Sequence, residues 1–566
     1  MSKQYSNFVF FFVAVVLLTG CSGGSKFRIP EPLPDDQKPI PLPEAKTINI
    51  AGDWIEKQLT YQIEQSFDLS RQFRNLFGKQ KQAMNVDAFG EVKNSSWFTN
   101  RNHLYPMAIA EVARGPNRSA GPDTENTWTI YHAKAEGVTP GFRIIDSKND
   151  RYVIKFEPMG YVELGSGAEV VSAKLFYAAC YNVPEYFAIY FDPKILKLGE
   201  NVELTDEKGR ERFMNQDDLN QIMKRVEVLE NGKIRVSASK LIDGKGLFVP
   251  FKYKGTRKDD PNDIIPHQHR RELRGLRVIA AWLNHFDTKD NNSMDVYTNE
   301  GYVKHYLLDF GSTLGSAAMG PITPEVGHQN GFDPHQILLN TLSLGLYVKE
   351  WEKSWDIPYP SIGHFISKNF KPEKYKFLIP NPAFENMTDL DGYWAAKIVM
   401  SFTDEQLAAV VKEGNYSNRQ ATSYLVKILA ERRNIIGRYW FNKIAPLDRF
   451  EILNDGSGQN LCFKDLAITT GLVSSESAQY RHSLRNGNIF LVQTDQVDQS
   501  TCIALPSQAV TSNGTEEKGS SKNDYWEMTL QLQRNSSGPW SKWVKIYLDL
   551  DSTTSRFQLV GIRRQD

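Results

Sequence analysis

Residues 285–292 read His-Phe-Asp-Thr-Lys-Asp-Asn-Asn (HFDTKDNN), directly after the apolar run RVIAAWLN. An imidazole, carboxylates, an ammonium and amides crowded at the end of a helix pattern are costly to bury without partners. Asp309-Phe310-Gly311 follows further along the chain. Between the two clusters, MDVYT and YVKHYLLDF flank Asn-Glu-Gly, which predicts a β-hairpin. The hairpin returns the chain, so both polar clusters come to face one cleft.

Upstream, Pro266 opens a predicted long helix through His285, with Leu273, Leu276, Ala280 and Leu283 on one stripe. Before it, WTIYH, FRIID and RYVIKFEP read as strands, and AKAEGVTPG as a loop with Gly137 and Gly141. A helix is predicted over 167–181, then the strand YFAIYF. Residues 196–240 read as an insertion with one helix near 216–228, and IRVSASKLI and GLFVPFKYKG as strands. Residues 312–333 show no periodicity. From Pro334 to about 446 the pattern is mostly helical, with Thr403 and Gln406 as a capping box and Gly414 as a C-cap.

Residues 450–566 switch to short β-type runs (NIFLVQT, YWEMTLQLQ, WVKIYLDL, FQLVGI) and predict a separate all-β, sandwich-like domain. Near the other end, Ile55, Leu59, Ile63 and Phe67 mark one face of an amphipathic helix, while 78–126 are irregular. The expected organisation is a leader over 1–21, a Pro/Gly-rich tether over 22–50, a helical extension over 51–126, a small lobe over 127–265, a large lobe over 266–448 and the β-domain. The fold class is α+β.

The chain has 566 residues, too many for one ordinary core. Lys+Arg and Asp+Glu both number 67, and no long basic run occurs, which argues against nucleic-acid binding. Hydrophobic content of 40% with eleven Trp supports globular cores.

Strand, Gly loop, strand, Lys-bearing strand, Glu-bearing helix, further strands, long helix, HFDTKDNN, hairpin, DFG, helices: this order resembles a two-lobed protein kinase over residues 127–440. HFDTKDNN resembles the catalytic loop H-R-D-x-K-x-x-N, and Asp309-Phe310-Gly311 the metal-binding DFG. The divergent small lobe is closer to the outlying HipA-like and lipid-kinase-like branches. SSWFTNR, GTRKDDPND and LLDFGSTLGS also resemble a group of uncharacterised bacterial proteins.

The resemblance implies Mg-ATP-dependent phosphotransfer to a hydroxyl, with ATP and Mg²⁺ as cofactors. Asp287 would orient the attacking hydroxyl and Lys289 sit over the transferred phosphate. Asn292 and Asp309 would hold the metal. Lys155 would grip the α- and β-phosphates, steadied by Glu169, and Gly137 and Gly141 would lie over the nucleotide. These residue types suit a reaction that consists mostly of positioning and of neutralising charge.

Each piece also has a plain reading. Lys155 could be a solvated strand lysine. Ser166-Gly-Ala-Glu169 is also a capping box. LLDFG could be a strand ending in a turn. A calcium loop at DTKDNNSMD fails, because Lys289 stands where a ligand is needed. Phe286 replaces the Arg that answers an activation-loop phosphate in many kinases. His267, His269, Arg257 and Lys258 read as a charge-mixed surface or a substrate contact.

The first residues carry a different signal. Lys3 precedes the apolar run FVFFFVAVVLL, which is short for a bilayer span. Leu18-Thr19-Gly20-Cys21 resembles the lipobox of bacterial lipoproteins, which implies a lipid at Cys21 and an anchor in the cell envelope. Ser22 in place of Asp points to the outer membrane. Export exposes thiols to oxidation, so Cys462 and Cys502 are expected to pair, whereas Cys180 in LFYAACY reads as buried and inert. ATP is scarce outside the inner membrane, which keeps a pseudokinase open; two further rivals are an enzyme of another outcome on the same scaffold, such as nucleotidyl transfer to protein, and a binding or scaffold lipoprotein whose β-domain recognises a peptide or glycan.

Overall fold

The computed structural model describes residues 27–44, 80–134, 140–205, 211–245, 248–331, 333–344, 346, 348–349, 351–456, 458–486, 489–493, 499–506, 525–535, 537–551 and 553–566. The leader with Cys21, the helix expected over 53–77 and Gly137 lie outside these residues.

The small lobe is a seven-stranded mixed sheet. Its strands are β1 (Trp128–Lys134), β2 (Gly141–Ile145), β3 (Arg151–Phe156), β4 (Tyr186–Phe191), β5 (Leu196–Thr205), β6 (Glu211–Phe213) and β7 (Ile234–Lys240), in the order β4-β7-β3-β2-β1-β5-β6. β5 runs parallel to β1, and the other pairings are antiparallel. The segment read as an insertion therefore adds β5 and β6 to the sheet, besides the expected strand IRVSASKLI, which forms β7.

Alternation along RYVIKF buries Tyr152, Ile154 and Phe156 in the sheet's core with Trp128, Ile130 and Ile144. The same alternation turns Lys155 to the opposite face. Against that face lies a helix, Leu164–Ala178, with Glu169 buried. With α1 (Ile109–Arg114) before it, this helix is α2. Among the described residues of 51–126, α1 is the one α-helix, so the helical extension is mostly loop where it is seen.

The large lobe follows α3 (Gln216–Met223) and β8 (Phe248–Val249), which among the described residues is all that forms of the strand expected over GLFVPFKYKG. The helix expected from Pro266 begins instead with a 3₁₀ turn at His267–His269. It becomes α-helical as α4 (Arg271–Trp282) and stops before HFDTKDNN. α4 packs on α7 (Asp389–Met400) and α9 (Arg419–Lys443), which come after α5 (Pro334–Leu342) and α6 (Pro382–Glu385) and frame α8 (Asp404–Glu413). Gly275 permits the close approach, since a Cβ there would stand 2.8 Å from the Trp394 ring. Buried Asp391 receives Arg271 Nε at 2.9 Å and Arg274 Nη1 at 3.2 Å. The hairpin pairs β9 (Ser293–Tyr297) with β10 (Val303–Leu307), Ser293 opposite Leu307.

The C-terminal domain begins at β13 (Leu447–Asp455), after the two-residue strands β11 (Ser316–Ala317) and β12 (Gly320–Pro321). β13 pairs with β14 (Gly458–Asp465), and β14 with β17 (Cys502–Ala504). The second sheet holds β15 (Ala478–Asn486), β16 (Ile489–Gln493), β18 (Trp526–Arg534), β19 (Val544–Asp551) and β20 (Arg556–Arg564). The two sheets share one core, into which β18 sends Trp526, Met528, Leu530 and Leu532 at strict alternation. A disulfide joins Cys462 to Cys502 across β14 and β17. Cys180 is buried, and burial pushes its thiol up to about 12.

Residues 27–44, expected as part of a free tether, are a docked strap. Phe27 stacks on Tyr547, centroids 3.9 Å apart. The Asp36 carboxylate accepts from Ser96 N at 3.0 Å and from Ser96 Oγ at 2.8 Å. Ile40 N donates to Gly301 O at 2.8 Å, and Tyr297 Oη to Ile40 O at 2.6 Å. Among the described residues no helix is long and apolar enough to cross a membrane.

Candidate active site

A cleft of about 370 Å³ separates the lobes, lined among others by Gly141, Lys155, Glu169, Ser237, Asp287 and Asp309. Sheet register builds its upper wall. Gly141 lies opposite Lys155, and Lys155 opposite Ser237, so three adjacent strands contribute one rung. Lys155 Nζ donates to Glu169 Oε1 at 2.6 Å and to Asp309 Oδ1 at 2.8 Å. Ser237 Oγ donates to the other Glu169 oxygen. Burial opposes the lysine's charge, but the Asp309 and Glu169 carboxylates outweigh it and hold the ammonium well above the ordinary lysine range. Asp309 responds in kind: burial would raise its pKa, and Lys155 pulls it below the usual carboxylate value.

The N-terminus of α2 differs from the expected capping box. The helix starts at Leu164, ahead of Ser166, and Gly165 N donates to Glu157 Oε2 at 2.8 Å. The Ser166 hydroxyl also donates to Glu157, and Arg235 Nε donates to Ser166 Oγ at 2.7 Å. A carboxylate on the strand side thus caps the helix, which leaves Glu169 to Lys155 and Ser237.

The lower wall comes from the hairpin ends. Leu308 N donates to Asn292 O at 3.0 Å, which sets the residue before Asp309 against the end of HFDTKDNN. Asp309 has a φ of 58°, a left-handed conformation that Asp adopts more readily than most residues other than Gly. Phe310 stacks on Phe176 of α2, centroids 5.0 Å apart, and Thr313 Oγ1 lies 2.7 Å from Ser172 Oγ. These contacts lock the DFG segment to the helix that carries Glu169.

His285 is buried, and burial lowers its pKa. Its Nε2 lies 3.2 Å from the Asp309 carbonyl oxygen, which can only accept, so the ring donates there. Its role is to support the loop.

Asp287 Oδ2 accepts from Lys289 Nζ at 2.9 Å and from Asn292 Nδ2 at 3.2 Å, and Asn292 Nδ2 also reaches Asp287 O at 2.7 Å. Asp287 Oδ1 is buried with no partner. The Asp287 carboxylate lines the cleft, where a carboxylate can accept from a hydroxyl.

The donor set also fits a hard divalent cation. Asn292 Nδ2 faces Asp287, which leaves Asn292 Oδ1 as a free acceptor, and Asp309 Oδ2 makes no hydrogen bond to a described residue. Among the described residues no cluster of three or more His, Cys, Asp or Glu could hold a metal. Mg²⁺ needs only one or two carboxylates when phosphates and water complete its shell.

The structure thus brings Gly141, Lys155, Glu169, Asp287 and Asp309 to one cleft, with Lys289 and Asn292 bonded to Asp287. Sequence reasoning missed Ser237, Glu157 and Tyr186, whose hydroxyl accepts from Asp309 N at 3.2 Å. The polar alternation Arg235, Ser237, Ser239 was the available signal for the first. The cluster before α4 is only partly a surface: Lys258 is exposed, Arg257 and His269 are half-buried, and His267 is internal. His267 is buried with Nε2 at 2.7 Å from Asp263, and Arg257 pairs with Asp295 at 3.2 Å.

No family model matches the chain. No curated protein matches it either. Among solved structures it is similar to the Helicobacter pylori proinflammatory kinase CtkA, at 12% identity over 57% of this chain and 95% of that one, with a TM-score of 0.28. It is also similar to the Golgi casein kinase with Mn/ADP bound, at 12% identity over 55% and 74% of the two chains and a TM-score of 0.22. A second Golgi casein kinase structure gives 10% identity, 57% and 74% coverage and a TM-score of 0.23.

Proposed function

We propose that this chain is a kinase-like phosphotransferase that passes the terminal phosphoryl group of Mg-ATP to a hydroxyl. The observation that carries this reading is the Lys155 ammonium held between Glu169 at 2.6 Å and Asp309 at 2.8 Å, on a cleft whose floor is Asp287. Lys155 grips the non-transferred phosphates, and Glu169 keeps it aimed. Asp309 and Asn292 would hold the metal, which supplies charge neutralisation at the phosphates. The Asp287 carboxylate accepts the proton of the attacking hydroxyl as the new O–P bond forms and the bond to the ADP oxygen breaks. Lys289, tied to Asp287, offers a cation to the transferred group.

A lipid anchor at Cys21 in the outer membrane belongs to the same proposal and rests on LTGC and the apolar run before it. Replacing Cys21 by Ala should release the protein from membranes.

The test is calorimetric titration of the full chain with ATP, with and without Mg²⁺, paired with transfer from γ-labelled ATP to an envelope extract. Metal-dependent binding with γ-label transfer supports the reading. Transfer of α-label instead would make it a nucleotidyl transferase. Binding without any transfer would leave a pseudokinase, and a folded protein that binds no nucleotide overturns the reading.

A further inference from the structure

A second cavity, of about 810 Å³, opens in the large lobe, more than twice the size of the cleft. It lies beside the catalytic loop. Asn284, the residue before His285, lines it, and Leu378 N on its wall segment donates to Phe286 O at 2.9 Å.

Three residues that line the cavity carry buried, unmatched donors. Arg277 Nε is buried with no partner, and Nη1 donates to Phe384 O at a long 3.2 Å. Asn381 is 4% exposed, and its Nδ2 has no partner. Its amide cannot be turned round, because Oδ1 caps α6 by accepting from Ala383 N at 2.9 Å. Asn284 is likewise 4% exposed with Nδ2 unmatched, while its Oδ1 accepts from Tyr375 Oη at 2.9 Å. A buried donor left unmatched is costly, and three around one cavity point to an acceptor that fills it.

Charge selects the acceptor. Six Lys and Arg side chains line the cavity against two carboxylates, Glu373 and Glu385. Lys376 is paired with Asp333, and Arg432 donates to three backbone carbonyls. Lys371 and Lys374 stand exposed at the rim, with no ion pair to a described residue. A guanidinium and amide donors lining the cavity together with exposed ammonium groups match a group presenting several anionic oxygens.

We propose that this cavity is a second ligand site that binds a phosphate-bearing anion beside the catalytic loop. It stands independently of the phosphotransfer reading, because none of its residues belongs to the cleft. An occupant bonded to Asn284 would sit one residue from His285 and so brace the loop that carries Asp287.

The experiment is calorimetric titration of the full chain with sodium tripolyphosphate in the absence of metal. A Lys155→Ala background removes the cleft's phosphate-gripping cation. Saturable binding is expected, weakened by about tenfold or more in Arg277→Gln and in the exposed pair Lys371→Ala/Lys374→Ala. A phosphoserine peptide forms a second arm. If it binds more tightly than tripolyphosphate the source is a phosphorylated protein, and if less tightly a free phosphate. Equal or tighter binding of citrate would assign the site to carboxylates and overturn the proposal. So would absence of binding in the Lys155→Ala chain, or binding unchanged in both substituted chains. The lysine pair keeps the test decisive if Arg277→Gln does not fold.

Discussion

Glu169 holds the Lys155 ammonium at 2.6 Å from inside α2, and Ser237 secures the carboxylate's other oxygen. On the proposed function, the pair would make nucleotide binding depend on a residue that never meets the nucleotide. Glu169→Gln should weaken Mg-ATP binding by about tenfold, the size of one charge-assisted hydrogen bond. Ser237→Ala should cost less. Calorimetry on the two variants decides it, and wild-type affinity in Glu169→Gln would show that the pair does not position Lys155.

Asp287 and Asp309 should separate cleanly. Asp287→Asn leaves the Lys155 grip and the metal oxygens in place, so nucleotide affinity should stay near wild type while transfer falls by about 10²-fold or more. Asp309→Asn should abolish the Mg²⁺-dependent part of nucleotide binding. The paired readouts are calorimetry and γ-label transfer, and identical behaviour of the two variants would refute the division of roles.

The cleft also has a pH signature. Burial favours protonation of Asp309, but Lys155 outweighs it and keeps the carboxyl's pKa below the ordinary range. Wild type should therefore keep binding metal and nucleotide as pH falls toward the ordinary carboxylate pKa of about 4. Lys155→Ala removes the lowering influence and leaves burial, so Asp309 takes up its proton at higher pH. Residual Mg²⁺-dependent binding in that variant should fade at a higher pH than in wild type. Mn²⁺-nucleotide titrations across pH would read the midpoint, and an unchanged midpoint would contradict the coupling.

Large-lobe stability rests partly on Asp391, which has 0% side-chain exposure and faces Arg271 and Arg274. Asp391→Ala leaves two buried guanidinium groups without their counter-charge, and breaking such a pair typically costs about 3–5 kcal/mol. Urea unfolding of the full chain, followed by Trp fluorescence, should show that loss. A change below about 1 kcal/mol would mean that water replaces the carboxylate.

What the sequence made readable was local. HFDTKDNN and DFG are short motifs, the hairpin between them has its turn residues, and alternation along RYVIKF placed Lys155 on the face opposite the core. β18 was readable in the same way. Contacts set by register between distant strands were not: Ser237 meets Glu169 because β7 pairs with β3. The cap of α2 escaped because Glu157, on the preceding strand side, outcompetes the nearby Ser166 pattern. Residues 27–44 misled by composition. Pro-rich chain with few apolar residues looks like a spacer, yet Phe27, Asp36 and Ile40 suffice to dock it.

That strap sets a mechanical order for the molecule. It clasps the β-domain at Phe27 and the hairpin of the large lobe at Ile40. A pull applied upstream of residue 27 meets the Phe27–Tyr547 stack first. It reaches the hairpin that aligns Asp287 with Asp309 only after that stack has peeled. The β-domain therefore shields the cleft from tension on the N-terminal side, whatever lies there.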